Sequence, residues 1–185
     1  LTEACRVAET KEARLPGFGA TLHDFVKPLF RHGPHSLQRL VEAACLLHDV
    51  SWRAHPDYRA ETVFDSTTRA NLGGLKHEER VFLGLSLLHR YRNKSEGTRF
   101  EELAQLLSDK EQHQAEVIGK AMRFGAMLWQ HDRDNIGTLK FYPKKAELHL
   151  KLPTSTGPLY GEVAEARFNA LANTLGATST VRLKD

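Results

Sequence analysis

Apolar residues recur at helical spacing through the first 135 positions and then switch to alternation. Leu22, Phe25, Val26, Leu29 and Phe30 fall at i, i+3, i+4, i+7 and i+8, the stripe of a helix buried on one side. Before them, Thr2 to Leu15 is polar with Ala4, Val7 and Ala8 at helical spacing, and Pro16-Gly17 breaks it. His32-Gly33-Pro34 ends the second helix. Ser36 then reads as the cap of a third, which carries Leu37, Leu40, Val41, Ala44, Leu47 and His48. Further helices are predicted over Glu61 to Leu72, stopped by Gly73-Gly74, and over Glu78 to Tyr91, with Phe82, Leu85, Leu88 and His89 on one face. Two more follow, over Phe100 to Leu107 and Gln112 to Trp129.

Near Gly137 the period changes to two. Leu139 to Tyr142 and Glu147 to Leu152 read as strands, with Pro143 to Ala146 as the turn between them. Leu148, Leu150 and Leu152 share one strand face; Glu147, His149 and Lys151 share the other. An amphipathic helix over Leu159 to Leu175 and a short strand over Thr178 to Leu183 complete a ββαβ unit. The expected organisation is a helical domain over 1–135 and a small α/β unit over 136–185, a mainly α chain.

Composition changes this picture little. The 185 residues are 41% hydrophobic and 26% charged, ordinary for a globular protein, and suffice for one good-sized domain with an appendage. A net charge of +3 permits a polyanionic partner without requiring one. Cys5 and Cys45 form no C-x-x-C pair, so neither a zinc knuckle nor a disulfide framework is expected, and a reducing cytoplasm fits. No apolar run approaches the ~18 residues of a membrane span, and the start at Leu1 shows no apolar signal segment.

The densest chemistry lies at Cys45-Leu46-Leu47-His48-Asp49-Val50. An imidazole and a carboxylate from adjacent positions can ligate Mn²⁺, Fe²⁺, Zn²⁺ or Mg²⁺ together with waters. Two bonds alone hold a divalent ion poorly against water. Two basic clusters offer contacts to a polyanion: Arg53, His55 and Arg59, and then His89, Arg90, Arg92, Lys94 and Arg99 with Tyr91 among them. They read equally as solvated faces, with Arg53 pairing to Asp57 or Glu61. Trp52 and Tyr58 are expected to pack rather than to stack on a ligand. No serine sits in a Gly-x-Ser-x-Gly elbow and no Gly-x-x-x-x-Gly-Lys phosphate loop is present.

The segment from Leu46 to Glu61, with Trp52-Arg53-Ala54-His55-Pro56-Asp57-Tyr58-Arg59, resembles the C-terminal half of the exopolyphosphatase / guanosine-pentaphosphate phosphohydrolase family in its alphaproteobacterial form. Gly157-Pro158-Leu159-Tyr160-Gly161-Glu162-Val163-Ala164-Glu165 is similar to the same group. The resemblance implies an HD-domain-like helical bundle followed by the ββαβ unit. It implies an accessory domain, without catalytic residues of its own, that aids binding of polyphosphate or guanosine pentaphosphate and forms a homodimer. The catalytic actin-like ATPase-fold domains, and their Mg²⁺, would belong to N-terminal parts of a parent chain. No cofactor is expected in this chain.

An active HD site also needs an upstream His and a late-helix Asp. His23, beside Asp24, is the nearest upstream candidate, while Arg123 to Trp129 has no carboxylate and Asp132 and Asp134 are expected to face solvent. His48 and Asp49 are therefore expected to be a vestigial metal pair, with His48 bonded to a carbonyl or to Asp49 and Asp49 ending the helix. His23-Asp24 and His131-Asp132 read as coincidences among ten histidines. The alternatives are a free-standing HD-type phosphohydrolase using His48 and Asp49 with His23 and His89, or a module that binds protein.

Overall fold

A computed structural model describes residues 1–128 and 136–184, with the backbone alone at Leu159 and Lys184. Helix α1 (Thr2–Glu12) turns Cys5 and Glu9 inward and leaves Val7 exposed. The Glu9 carboxylate accepts the backbone N–H of Gly17 (3.1 Å) and Gly19 (2.7 Å), fixing the start of α2 (Phe18–Val26). The α-helix stops at Val26 and tightens into a 3₁₀ turn over Lys27–Phe30, four residues short of its apolar stripe. Pro28 lies in that turn and has no N–H to continue the α-helical ladder.

Helix α3 (His35–Leu47) is capped by Pro34, not by Ser36. The Pro34 carbonyl accepts from Leu37 and Gln38, which places Ser36 inside the first turn. Helix α4 (Pro56–Arg69) starts five residues before Glu61, because Pro56 suits the first helical position and the His55 ring accepts the Asp57 N–H at 3.3 Å. Helix α5 (His77–Tyr91) follows the predicted range closely. Helix α6 (Glu101–Ala104) is a single turn where a longer helix was expected; Phe100, Ala104 and Leu107 are buried, while Leu103 and Leu106 face outward. Helix α7 (Asp109–Leu128) begins three residues early because Ser108 and Glu111 cap each other reciprocally. Trp129 lies outside the described residues.

Helices α5 and α7 form the centre of the bundle. They approach so closely that a Cβ on Gly119 would stand 2.3 Å from the His89 Cβ and 2.6 Å from the Ser86 carbonyl oxygen. Strands β1 (Thr138–Tyr142) and β2 (Glu147–Pro153) pair antiparallel, and β2 pairs parallel with β3 (Thr178–Lys184). The parallel pair requires a crossover, supplied by α8 (Glu162–Thr174). It starts three residues after Leu159 because a 3₁₀ segment, Thr154–Leu159, holds Pro158 ahead of it. In register, Leu150 lies opposite Leu139 and Val181, and Leu148, Leu150 and Leu152 are buried as the alternation requires. Phe168 of α8 stacks on Phe124 of α7 with centroids 5.2 Å apart, seating the sheet unit on the bundle. The chain is thus mainly α with a small C-terminal sheet. Cys5 and Cys45 are buried and free, and no helix among the described residues is long and apolar enough to cross a membrane.

Candidate functional site

The third helix delivers His48 and Asp49 into the interior, each only 3% exposed. His48 Nδ1 lies 2.8 Å from the Cys45 carbonyl oxygen. A carbonyl only accepts, so Nδ1 carries the proton and Nε2 holds the lone pair. The ring edge meets Phe18 at 5.5 Å, and the His48 carbonyl accepts from the Tyr91 hydroxyl at 2.8 Å. Burial, and then the charge of Arg90, push the imidazole down to about 4, so it is neutral at pH 7.

Asp49 is closed off by Arg14 from the segment after α1. Arg14 Nε reaches Oδ2 at 2.9 Å, Nη2 reaches Oδ1 at 2.8 Å, and the Arg14 backbone N–H adds a bond to Oδ2 at 3.1 Å. Burial alone would raise the carboxyl pKa; the Arg14 hydrogen bonds outweigh it and hold Asp49 below the usual carboxylate range. Both carboxylate oxygens are therefore occupied by a fork of donors, and a metal ion would have to displace Arg14. His23 and Asp24 line a different cavity, with Glu42 and Leu46. Among the described residues no three His, Cys, Asp or Glu side chains converge. His131, Asp132 and Asp134 lie outside the described residues.

Beside the pair, Tyr91 joins the two basic clusters. Arg59 stands 5.5 Å from the Tyr91 ring centroid and Arg90 5.0 Å from it. Arg59 donates to the carbonyls of Trp52 (2.7 Å) and Ala54 (3.1 Å), which ties down the loop between α3 and α4. Trp52 packs half-buried, as expected, and donates its indole N–H to the Glu12 carbonyl at 2.8 Å. Arg53 lies over the Trp52 ring at 4.8 Å and pairs with neither Asp57 nor Glu61. Tyr58 departs from the packing expected of it: it is 68% exposed. His55 is exposed at the start of α4.

The second cluster divides across α5. Arg90 turns toward Tyr91 and Asp49, whereas His89 is buried against Gly119 on the α7 side. His89 lines a separate cavity with Lys94, His113 and Glu116, and burial pushes its imidazole down to about 4. Lys94 pairs with Glu96 at 3.5 Å, and Arg92 is exposed at the end of the helix. Arg99 is neutralised by Glu61 and Asp65 of α4.

Arg90 differs from these. It is half-buried, its guanidinium makes no hydrogen bond or ion pair among the described residues, and its Nε is fully enclosed without an acceptor. Burial lowers its pKa from the ordinary arginine value. Two further half-buried arginines share this neighbourhood: Arg123 of α7, lowered by burial, and Arg167 of α8, lowered by burial and by the charges of Arg123 and Arg90. Arg167 Nη1 lies 3.4 Å from the Arg123 carbonyl oxygen. Sequence reasoning missed Arg14, Arg123 and Arg167. The available signal was Arg123 itself, a permanent charge inside the apolar run from Val117 to Leu128.

The model of the family "Exopolyphosphatase, C-terminal" matches residues 34–181. That span takes in the His-Asp pair, both basic clusters, Arg123, Arg167, β1, β2 and the first part of β3, and leaves out α1, α2 and Arg14. No curated protein matches the chain.

Proposed function

Because the chain belongs to the exopolyphosphatase C-terminal family, we propose that it is the accessory part of an exopolyphosphatase-like phosphatase. It carries a phosphate chain, of polyphosphate or guanosine pentaphosphate, toward N-terminal catalytic domains that hold the Mg²⁺, in a cytoplasmic homodimer. The observation that supports this reading best is Arg90, whose buried Nε has no acceptor among the described residues. An unpaired buried cation destabilises a fold, and an anion that supplies several oxygens relieves it. Arg53 adds an exposed cation over the Trp52 ring. Arg59 holds the loop beside Arg90 through the Trp52 and Ala54 carbonyls, and Arg92 adds an exposed cation at the end of α5, while Lys94 lies with His89 in the separate cavity.

In this reading His48 and Asp49 form a structural lock between α3 and the segment after α1, and the chain hydrolyses nothing by itself. Their donors do not suit a resident divalent ion, since Arg14 already takes both oxygens of Asp49. The test is calorimetric titration with medium-length polyphosphate at several salt concentrations, for the wild type and for Arg90→Gln. Saturable, salt-sensitive binding that weakens in Arg90→Gln supports the reading; equal binding by the two proteins refutes it. A parallel titration of chelator-stripped protein with Mn²⁺ addresses the free-standing phosphohydrolase. One tight ion per chain, lost in His48→Ala, would establish that alternative instead.

A further inference from the structure

On another face, the 3₁₀ turn Lys27–Phe30 and the first half of α3 enclose a cavity of about 470 Å³. That volume lies within the range of small-molecule sites. Its floor is apolar, formed by the buried Phe30 and Val41. Its rim is exposed and carries the cations Lys27 and Arg31, with the His35 ring beside them. Arg31 has no carboxylate partner among the described residues and donates only to the neighbouring His32 ring. His35 has no hydrogen-bond partner there. Lys27 pairs with Asp24 at the surface, an exposed contact easily exchanged for a better one. The inner end differs in chemistry. His23 and Glu42 line it, and Glu42 already receives Thr2 Oγ1 at 3.3 Å and Arg6 at 3.6 Å.

The cationic rim is particular to this side of α3. The cavity on the other side of the same helix is lined by Glu78, Glu79 and Glu111, with Lys110 as its one cationic side chain. A ligand complementary to the first cavity carries negative charge at one end, a flat apolar body, and hydrogen-bond donors at the other end. A bare phosphate lacks the body, and a fatty acid lacks the donors.

We propose that this cavity binds a nucleoside monophosphate. The phosphate sits among Lys27, Arg31 and His35, the base lies over Phe30 and Val41, and the base's amino group faces Glu42. Arg31 supplies a planar fork suited to two phosphate oxygens, and His35 adds a donor at the start of α3. The site shares no residue with the Arg90 surface, so it stands or falls independently of the polyphosphate reading.

The experiment is calorimetric titration of the chain with AMP, adenosine and inorganic phosphate. AMP is expected to bind at one per chain, with adenosine and phosphate each at least about tenfold weaker, because each leaves half of the cavity unmatched. Arg31→Gln is expected to weaken AMP by about tenfold while leaving adenosine binding and the thermal midpoint unchanged. Arg31 is exposed, so folding is not at risk; His35→Gln provides a second variant with the same expectation. No saturable AMP binding at millimolar concentration overturns the proposal. So does phosphate binding as tightly as AMP, or AMP binding indifferent to both substitutions.

Discussion

The two charged corners of the bundle are built on opposite terms. At the end of α3, buried charge is matched: Asp49 receives three donors from Arg14, and His48 is neutral with its proton on a carbonyl. Across Tyr91, the enclosed Nε of Arg90 has no acceptor among the described residues, and Arg123 and Arg167 add like charge. A matched buried pair holds two chain segments in register and leaves no valence for a ligand. An unmatched buried cation contributes nothing to the fold that an apolar residue would not do better. The His-Asp pair, which draws the eye in the sequence, is thereby matched within the fold, and under the proposed function it is Arg90 that meets the anion.

The largest test of this contrast is Arg14→Met. It leaves Asp49 buried without its partner and is expected to cost about 3 kcal/mol in urea denaturation. Adding Asp49→Asn should recover part of that loss, as residues in direct contact are non-additive. A cost under about 1 kcal/mol for Arg14→Met would mean the corner is not locked in the way described.

Acid should probe the same corner. The His48 imidazole has a folded pKa of about 4 against an ordinary value of 6.5, so the unfolded chain takes up its proton first. Its contribution is fully present above pH 6.5 and is lost as pH falls toward 4, by on the order of 3 kcal/mol. His89 is lowered to about 4 as well and acts in the same window. His23 is lowered by burial too, so His48→Asn should remove a part, not the whole, of the acid-induced loss. A pH–stability curve unchanged by the substitution would show that His48 is not the buried neutral group.

Arg90→Met should behave in the opposite way to Arg14→Met. Removing an unpaired charge while keeping the apolar stem is expected to leave stability unchanged or raise it by about 1 kcal/mol, while polyphosphate affinity falls about tenfold. If Arg90→Met destabilises as much as Arg14→Met, the two corners are alike and the contrast fails. The smallest effect belongs to Arg53→Ala at the exposed edge. Stability should move by no more than about 0.5 kcal/mol, and the slope of log affinity against log salt should shrink by roughly one. Binding curves at several salt concentrations read out both quantities.

Much of the fold is legible in the sequence because burial imposes periods. The alternation of Leu148, Leu150 and Leu152 gave β2 nearly to the residue, and the apolar face of α5 gave its range within one position. Boundaries went astray where a cap or a proline decides. Pro34 displaced Ser36, Pro56 started α4 early, and Pro28 broke the stripe of α2 into a tighter turn. At α6 the buried positions Phe100, Ala104 and Leu107 keep the helical period, but only Glu101–Ala104 is α-helical. For the site, sequence proximity was the wrong guide. His89 and Arg90 are neighbours that enter different surroundings, while Arg14 and Asp49 are thirty-five positions apart and share three hydrogen bonds.

By itself the sequence determined the mainly α class, the order of the ββαβ tail, the family and the short list of groups able to carry chemistry. These follow from local period, turn residues and side-chain type, which each segment expresses without reference to distant ones. Only the tertiary structure decided which charges are matched and which are not. Pairing and desolvation depend on which helices meet, and a guanidinium in solvent, in a lock or stranded beneath a ring is the same letter in the chain.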